Sequence, residues 1–74
     1  MTEYKFEYTC GIKHEDYSEY ICTTCERNFE DDFEAVGYAF LRAALFEELD
    51  IEVKSIYVYE KANFGNVLLD VGKR

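Results

Sequence analysis

Seventy-four residues with sixteen acidic and eight basic side chains carry a formal charge of −8 at pH 7. That length makes a single domain, 1–74, with no room for a second. The charge disfavours direct binding of nucleic acid or of an anionic membrane, either of which would need Lys and Arg gathered on one face.

Seven Tyr and six Phe supply far more packing area than a disordered acidic tail contains. A chain this short buries only about 60% of the surface its unfolded form exposes, so a lone core is marginal and a partner subunit is a common remedy. Three cysteines, an odd number, fit a reducing cytoplasm better than a disulfide scaffold. Met1–Lys5 does not begin a basic-then-apolar signal peptide, and no apolar run approaches the ~20 residues of a membrane span. The expectation is a soluble, cytoplasmic protein.

Glu3 to Cys10 alternates, with Tyr4, Phe6, Tyr8 and Cys10 on one face and Glu3, Lys5, Glu7 and Thr9 on the other. That period predicts a half-buried strand. Gly11–Asp16 reads as a hairpin turn, and Tyr17–Thr24, rich in β-branched and aromatic residues, as the returning strand. Cys25–Glu30 then links into a helix over Asp31–Asp50.

The helix opens on Asp31-Asp32-Phe33-Glu34, a capping box with Asp31 as N-cap. Between Ala35 and Phe46 its only charged residue is Arg42. At about 100° per residue, Phe33, Val36, Phe40 and Ala44 share one face, while Ala35, Tyr38, Phe46 and Leu49 lie opposite. A helix apolar nearly all round wants cover on two sides. A sheet from the rest of the chain can supply one, and a second copy of the protein the other.

Ile51–Glu60 reads as a third strand whose alternation slips; either a bulge near Lys54-Ser55 reconciles the two halves or the strand starts only there. Lys61–Asn66, with Asn63, Gly65 and Asn66, is turn chemistry. Val67–Val71 completes a second hairpin, with Val67, Leu69 and Val71 on one face. The expected fold is α+β in the order β-β-α-β-β. It comprises a four-stranded, largely antiparallel sheet with one helix packed across it, as a homodimer that pairs through the helix, a sheet edge or both.

Cys10, His14, Cys22 and Cys25 form a C-x3-H-x7-C-x2-C pattern, four residues of the kind that hold zinc. If Gly11–Asp16 is the turn, Cys10 lies beside Ser18 and about 13 Å from Cys22, too far to share one metal. The expectation is therefore no metal and no cofactor. The rival reading is a small zinc-stabilised adaptor for protein interaction.

Catalysis is not expected. His14 has no evident nucleophile arranged around it, and Gly11, Gly37, Gly65 and Gly72 are too scattered for a phosphate loop.

Half of the carboxylates fall in one window: Glu15, Asp16, Glu19, Glu26, Glu30, Asp31, Asp32 and Glu34, opposed by Arg27 alone, a local charge of −7. Glu47, Glu48 and Asp50 crowd the helix C-terminus, where the macrodipole already presents negative charge and Lys or Arg would stabilise more. Rules of local stability are broken most often at functional positions. Carboxylates about 6.7 Å apart on strands or about 5.4 Å apart on helical turns can approximate a nucleic-acid backbone. A basic protein is the expected partner.

With the clusters Glu30-Asp31-Asp32-Phe33-Glu34 and Glu47-Glu48-Leu49-Asp50 in a short, Tyr/Phe-rich, strongly acidic chain, the protein resembles the small acidic host-takeover proteins that large lytic phages make early in infection. Among them it is most similar to dimeric DNA mimics that disable the bacterial nucleoid protein HU. The resemblance implies a non-enzymatic inhibitor in the cytoplasm of an infected bacterium, blocking the DNA-binding surface of an HU-like protein. The expected contact surface is Glu15, Asp16, Glu19, Glu30, Asp31, Asp32, Glu34, Glu47, Glu48 and Asp50.

Overall fold

The computed structural model describes residues 1–62 and 65–73. The elements run β1 (Thr2–Lys13), β2 (Ser18–Phe29), α1 (Asp32–Glu48), β3 (Glu52–Ala62) and β4 (Gly65–Lys73). The four strands form one sheet in the order β2-β1-β3-β4, every neighbouring pair antiparallel. Helix α1 lies across one face and packs most extensively on β3. The architecture is the α+β, β-β-α-β-β arrangement that the hydrophobic pattern dictates.

The alternation of β1 puts Tyr4, Phe6, Tyr8 and Cys10 into the core, where Val53, Ile56 and Val58 of β3 join them. These meet Ala35, Ala39 and Ala43, all fully buried on one stripe of α1. Small side chains on this stripe let the helix approach the sheet closely enough for Tyr8 Oη to donate to the Ala39 carbonyl at 3.3 Å. Larger rings fill the flanks. Phe29 and Tyr38 stand 6.0 and 5.2 Å from the Phe6 ring, and Phe46 stands 5.5 Å from that of Tyr8.

The slip in β3 is a bulge at the expected place. Thr9 pairs with Ser55 and Cys10 with Val53, so Lys54 is the extra residue. Val53 and Ile56, three positions apart, thereby reach the same buried face. A second irregularity lies between Val58 and Tyr59, opposite Leu69. Of the second hairpin, Leu69 packs against the core and Val67 is partly exposed. The expectations for Asn63 and for the Val71 side chain fall outside what is described.

The first hairpin differs from the sequence reading. Gly11–Asp16 is not the turn: β1 continues through Gly11, Ile12 and Lys13, and the chain reverses over His14–Tyr17, where His14 N–H donates to the Tyr17 carbonyl at 2.8 Å. Gly11 serves the sheet surface instead. A Cβ there would lie 3.1 Å from the Tyr20 ring, which covers the glycine on the face away from the helix. Nor is Cys25–Glu30 a linker, because β2 runs on to Phe29. The polar Glu26-Arg27-Asn28 is tolerated in an edge strand, and Phe29 anchors its far end among the rings of Tyr4, Phe6 and Tyr38.

Both helix ends are capped. Asp31 takes extended backbone geometry and its carboxylate accepts from Glu34 N–H at 2.9 Å. At the other end Asp50 N–H donates to the Glu47 carbonyl and Ile51 N–H to that of Phe46, both at 3.0 Å. This is a Schellman closure, with the Phe46 and Ile51 side chains both against the core. Its left-handed residue is Asp50, with φ of 62°, where glycine is the preferred occupant. Asp50→Gly removes that strain and one carboxylate from the negative end of the dipole. The expected outcome is a gain of about 1 kcal/mol, read as a higher urea midpoint with unchanged slope.

Two core phenols make the fold sensitive to alkali. Burial, reinforced by the hydrogen bond Tyr4 Oη donates to Asp32 Oδ1 at 2.8 Å, pushes the Tyr4 phenol up to about 12. Burial likewise pushes Tyr8 upward. Both must stay protonated in the folded state, so their contribution is intact below about pH 10, the unfolded value, and falls as pH rises through 12. Stability measured against pH should drop over that window, and Tyr4→Phe should shallow the drop while costing a helix-to-sheet hydrogen bond.

Candidate interaction surface

The carboxylates expected to act together are divided between two ends of an elongated body, 45 × 22 × 17 Å. Strand β2 spans the length of the sheet, so the window that opens with Glu15 and closes with Glu34 begins at one end and finishes at the other. Glu15 and Asp16 lie in the first turn and Glu19 opposite Ile12. Glu30, Asp31, Asp32 and Glu34 gather about 36 Å away, by the rise of an extended strand. Helix α1 then carries the chain back, so Glu47, Glu48 and Asp50 return to the end that holds the hairpin turn.

Two acidic poles result. The hairpin pole contains Glu15, Asp16, Glu19, Glu47, Glu48 and Asp50, and gains Glu52, which pairs with Gly11. Glu47, Asp50, Ile51 and Glu52 line a shallow, open groove there. The capping pole contains Glu30, Asp31, Asp32 and Glu34, and gains Glu60, paired with Tyr4. Composition alone did not select Glu52 and Glu60. The signal that finds them is register, through Gly11 and Tyr4 on the neighbouring strand.

Local chemistry differs between the poles. At the capping pole, Asp31 and Asp32 sit at the positive end of the helix dipole and are tied down, Asp31 by Glu34 N–H and Asp32 by Tyr4 Oη. At the hairpin pole no basic residue occupies the last turn of α1, so Glu47 and Glu48 act against the dipole. Nearby, the His14 ring stacks on Tyr17 at 4.4 Å and its Nε2 lies 3.1 Å from Glu19 Oε1. Lys54 reaches Glu52 at 3.5 Å and lies over the Tyr20 ring; the Glu52 carboxylate raises the lysine's pKa.

The sheet face away from the helix is different again. Here Lys61 bridges Glu3 and Glu26, holding the Glu26 carboxyl below its usual range. Tyr57 and Tyr59 stack beside Glu7 and Lys5, their partners on β1. Charge on this face is largely neutralised in pairs, so it adds little to the anionic field.

Between the poles, the outward side of α1 carries no charge over the turns from Ala35 to Phe46. Phe33, Phe40, Leu41, Leu45 and Leu49 are 87, 40, 61, 55 and 71% exposed. Arg42 points the other way, donating to Tyr38 Oη at 3.1 Å and lying against the rings of Tyr38 and Phe46. The two faces read from the sequence hold for Ala35, Tyr38 and Phe46 inward and for Phe33, Phe40 and Ala44 outward. Leu49 parts from its group because it caps the helix and is exposed, and Val36 parts from its own by packing at the margin of the core.

Cys10, His14, Cys22 and Cys25 are not brought together. Cys10 is buried under the helix; Cys22 pairs with Thr9 and opens onto the opposite face. Cys25 pairs with Phe6, four positions along the strand from Cys10, about 13 Å away. The separation that the sequence reading placed between Cys10 and Cys22 along one strand is in fact one of faces, because the register differs. Burial, with a smaller contribution from Cys22, raises the Cys10 thiol pKa. No three His, Cys, Asp or Glu side chains are grouped to hold a metal ion among the described residues, and no helix there is long and apolar enough to cross a membrane. Comparison with protein-family models, curated proteins and solved structures finds no match to this chain.

Proposed function

We propose that this protein is a non-enzymatic DNA mimic. Acting as a homodimer, it occupies the basic DNA-binding surface of a nucleoid-associated protein of the HU type and denies that surface to DNA. The reading rests chiefly on the acidic pole at the C-terminus of α1. There Glu47, Glu48 and Asp50 hold positions where stability favours cations, and the last turn contains no basic residue. The helix dipole does not favour that choice, and an anionic recognition surface gives it a use.

Mimicry of this kind works through fields rather than a pocket. Carboxylates displayed on a rigid sheet and helix present fixed negative charge to Lys and Arg side chains that otherwise meet phosphates. Encounter is accelerated by long-range attraction, and affinity falls steeply as salt rises. The zinc-adaptor reading has less behind it, since Cys10 and Cys22 face opposite sides of the sheet.

Titrating purified HU with the protein over a range of salt concentrations tests the proposal, with a DNA duplex as competitor. Sub-micromolar binding at low salt, displacement of DNA and a steep salt slope are the expected results. Binding that ignores salt, or a complex in which HU still holds DNA, would refute it.

A further inference from the structure

We infer that the outward face of α1 is the seat of a second copy of this chain, its helix antiparallel to the first about a two-fold axis at Leu41, and that this pairing joins unlike acidic poles into composite ones. The inference deepens the mimicry reading by stating how its surface is assembled.

The first argument is area. The five exposed apolar side chains from Phe33 to Leu49 offer roughly 600 Å² per copy, or about 1,200 Å² for a pair, the lower bound for a specific, stable interface. A patch of that size stands at the upper end of the roughly 300–600 Å² that the largest patch of a soluble monomer covers, a range in which such patches are often functional.

The second argument is self-complementarity. Phe33, Gly37, Leu41, Leu45 and Leu49 fall at intervals of four and form one ridge along the helix. The ridge is symmetric about Leu41. In an antiparallel pair Leu41 therefore meets Leu41, Gly37 meets Leu45, and the ring of Phe33 meets Leu49. A Cβ on Gly37 would have nothing within 4 Å in the single chain, so this space is free to admit the partner's Leu45. With Ala44 beside it, the axes can approach at about 8 Å and cross at about −50°, the angle at which the four-residue ridges of two helices lie along each other.

The third argument is charge. No charged side chain interrupts the ridge, so a second copy buries no unpaired ion at its centre. At its ends, Glu34 of one copy comes opposite Glu48 of the other. Each end of the pair then carries Glu30, Asp31, Asp32 and Glu34 from one chain and Glu47, Glu48 and Asp50 from its partner. Clusters that lie a helix length apart in one chain, about 25 Å, become neighbours across the axis.

This juxtaposition has a signature. Like charges gather on pairing, so screening should strengthen the dimer, about tenfold between low and high salt, whereas binding of a basic partner weakens. The two equilibria move in opposite directions, and failure of one is distinguishable from failure of the other.

The test is sedimentation of the full chain over a dilution series at two salt concentrations, beside Leu41→Glu. Leu41 makes no core contact in the single chain, so this variant should keep its circular dichroism while sedimenting as a monomer. A wild-type chain that is monomeric throughout, or a Leu41→Glu chain that still dimerises, overturns the inference. Cross-linking fixes the direction. In a Cys22→Ser background, Leu41→Cys should form an intermolecular disulfide, whereas Phe33→Cys should do so only when mixed with Leu49→Cys. Phe33→Cys linking efficiently to itself would mean a parallel pair and would also overturn it.

Discussion

Phe6→Ala is expected to remove about 3–5 kcal/mol of stability, the range for emptying the site of a buried aromatic ring. Phe6 is fully buried where β1, β2, β3 and α1 converge. It pairs with Cys25 on one side and Val58 on the other, and its ring meets those of Phe29 and Tyr38. Those rings are held by different elements, so they cannot collapse together into the space without moving the helix off the sheet. A domain of this length has roughly 4–11 kcal/mol in total, and the substitution brings it to the edge of unfolding at room temperature. Urea denaturation measures the loss as a fall in midpoint. Phe33→Ala is the contrasting variant: Phe33 is 87% exposed, and its removal should change the stability of the monomeric chain by no more than about 0.5 kcal/mol. Equal losses at the two positions would show that the core is not organised on β1.

The features legible in the sequence are those set by a local period. Alternation in Tyr4–Cys10 identifies the core strand, and the broken alternation of Glu52–Val58 locates the bulge at Lys54. Spacing alone identifies Asp31 as the cap. Register is a different matter, since it depends on what lies across the strand. Gly11 suggested a turn because glycine is common in turns, but its lack of a side chain is used by the Tyr20 ring on a neighbouring strand. That displacement changes every pairing in the hairpin and hence the geometry of the cysteines.

Polar composition concealed the rest of β2. Glu26-Arg27-Asn28 looks like a linker until Phe29 is seen locking the strand into the aromatic cluster. The same misreading hid the division of the acidic residues. A window that is continuous in the chain reads as one surface, yet a strand running through its middle carries its two halves to opposite ends of the molecule. Charge density along a chain predicts charge density in space only where the chain is compact, and an extended edge strand is the least compact path available.

Reversing Glu47 and Glu48 to Lys should weaken HU binding on the order of 100-fold at low salt, from the loss of attraction and the new repulsion, while raising the protein's own stability. The second effect is the diagnostic one. At Glu48 the lysine exchanges an unfavourable interaction with the helix C-terminus for a favourable one, about 0.3–1 kcal/mol, or a few degrees in thermal midpoint for a domain of this size, whereas at Glu47 the same gain is set against the contact that side chain makes. A substitution that abolishes binding and also damages the fold leaves its effect on function ambiguous. Here the two readouts part. The capping pole needs a different substitution, because lysine at Asp31 would also lose the cap. Asp31→Asn keeps an acceptor for Glu34 N–H, and Asp32→Asn keeps one for Tyr4 Oη, so this pair removes charge with little change in structure. If composite poles form the contact surface, both double variants weaken binding, because each partner-facing cluster draws on both helix ends. In the lysine variant the dimer itself should tighten, since Glu48→Lys sets a cation on one copy against Glu34 of the other, so weaker HU binding could not be attributed to dissociation. Undiminished binding by a stabilised, dimeric Glu47→Lys, Glu48→Lys protein would mean that the carboxylates at the helix C-terminus serve solubility and not recognition.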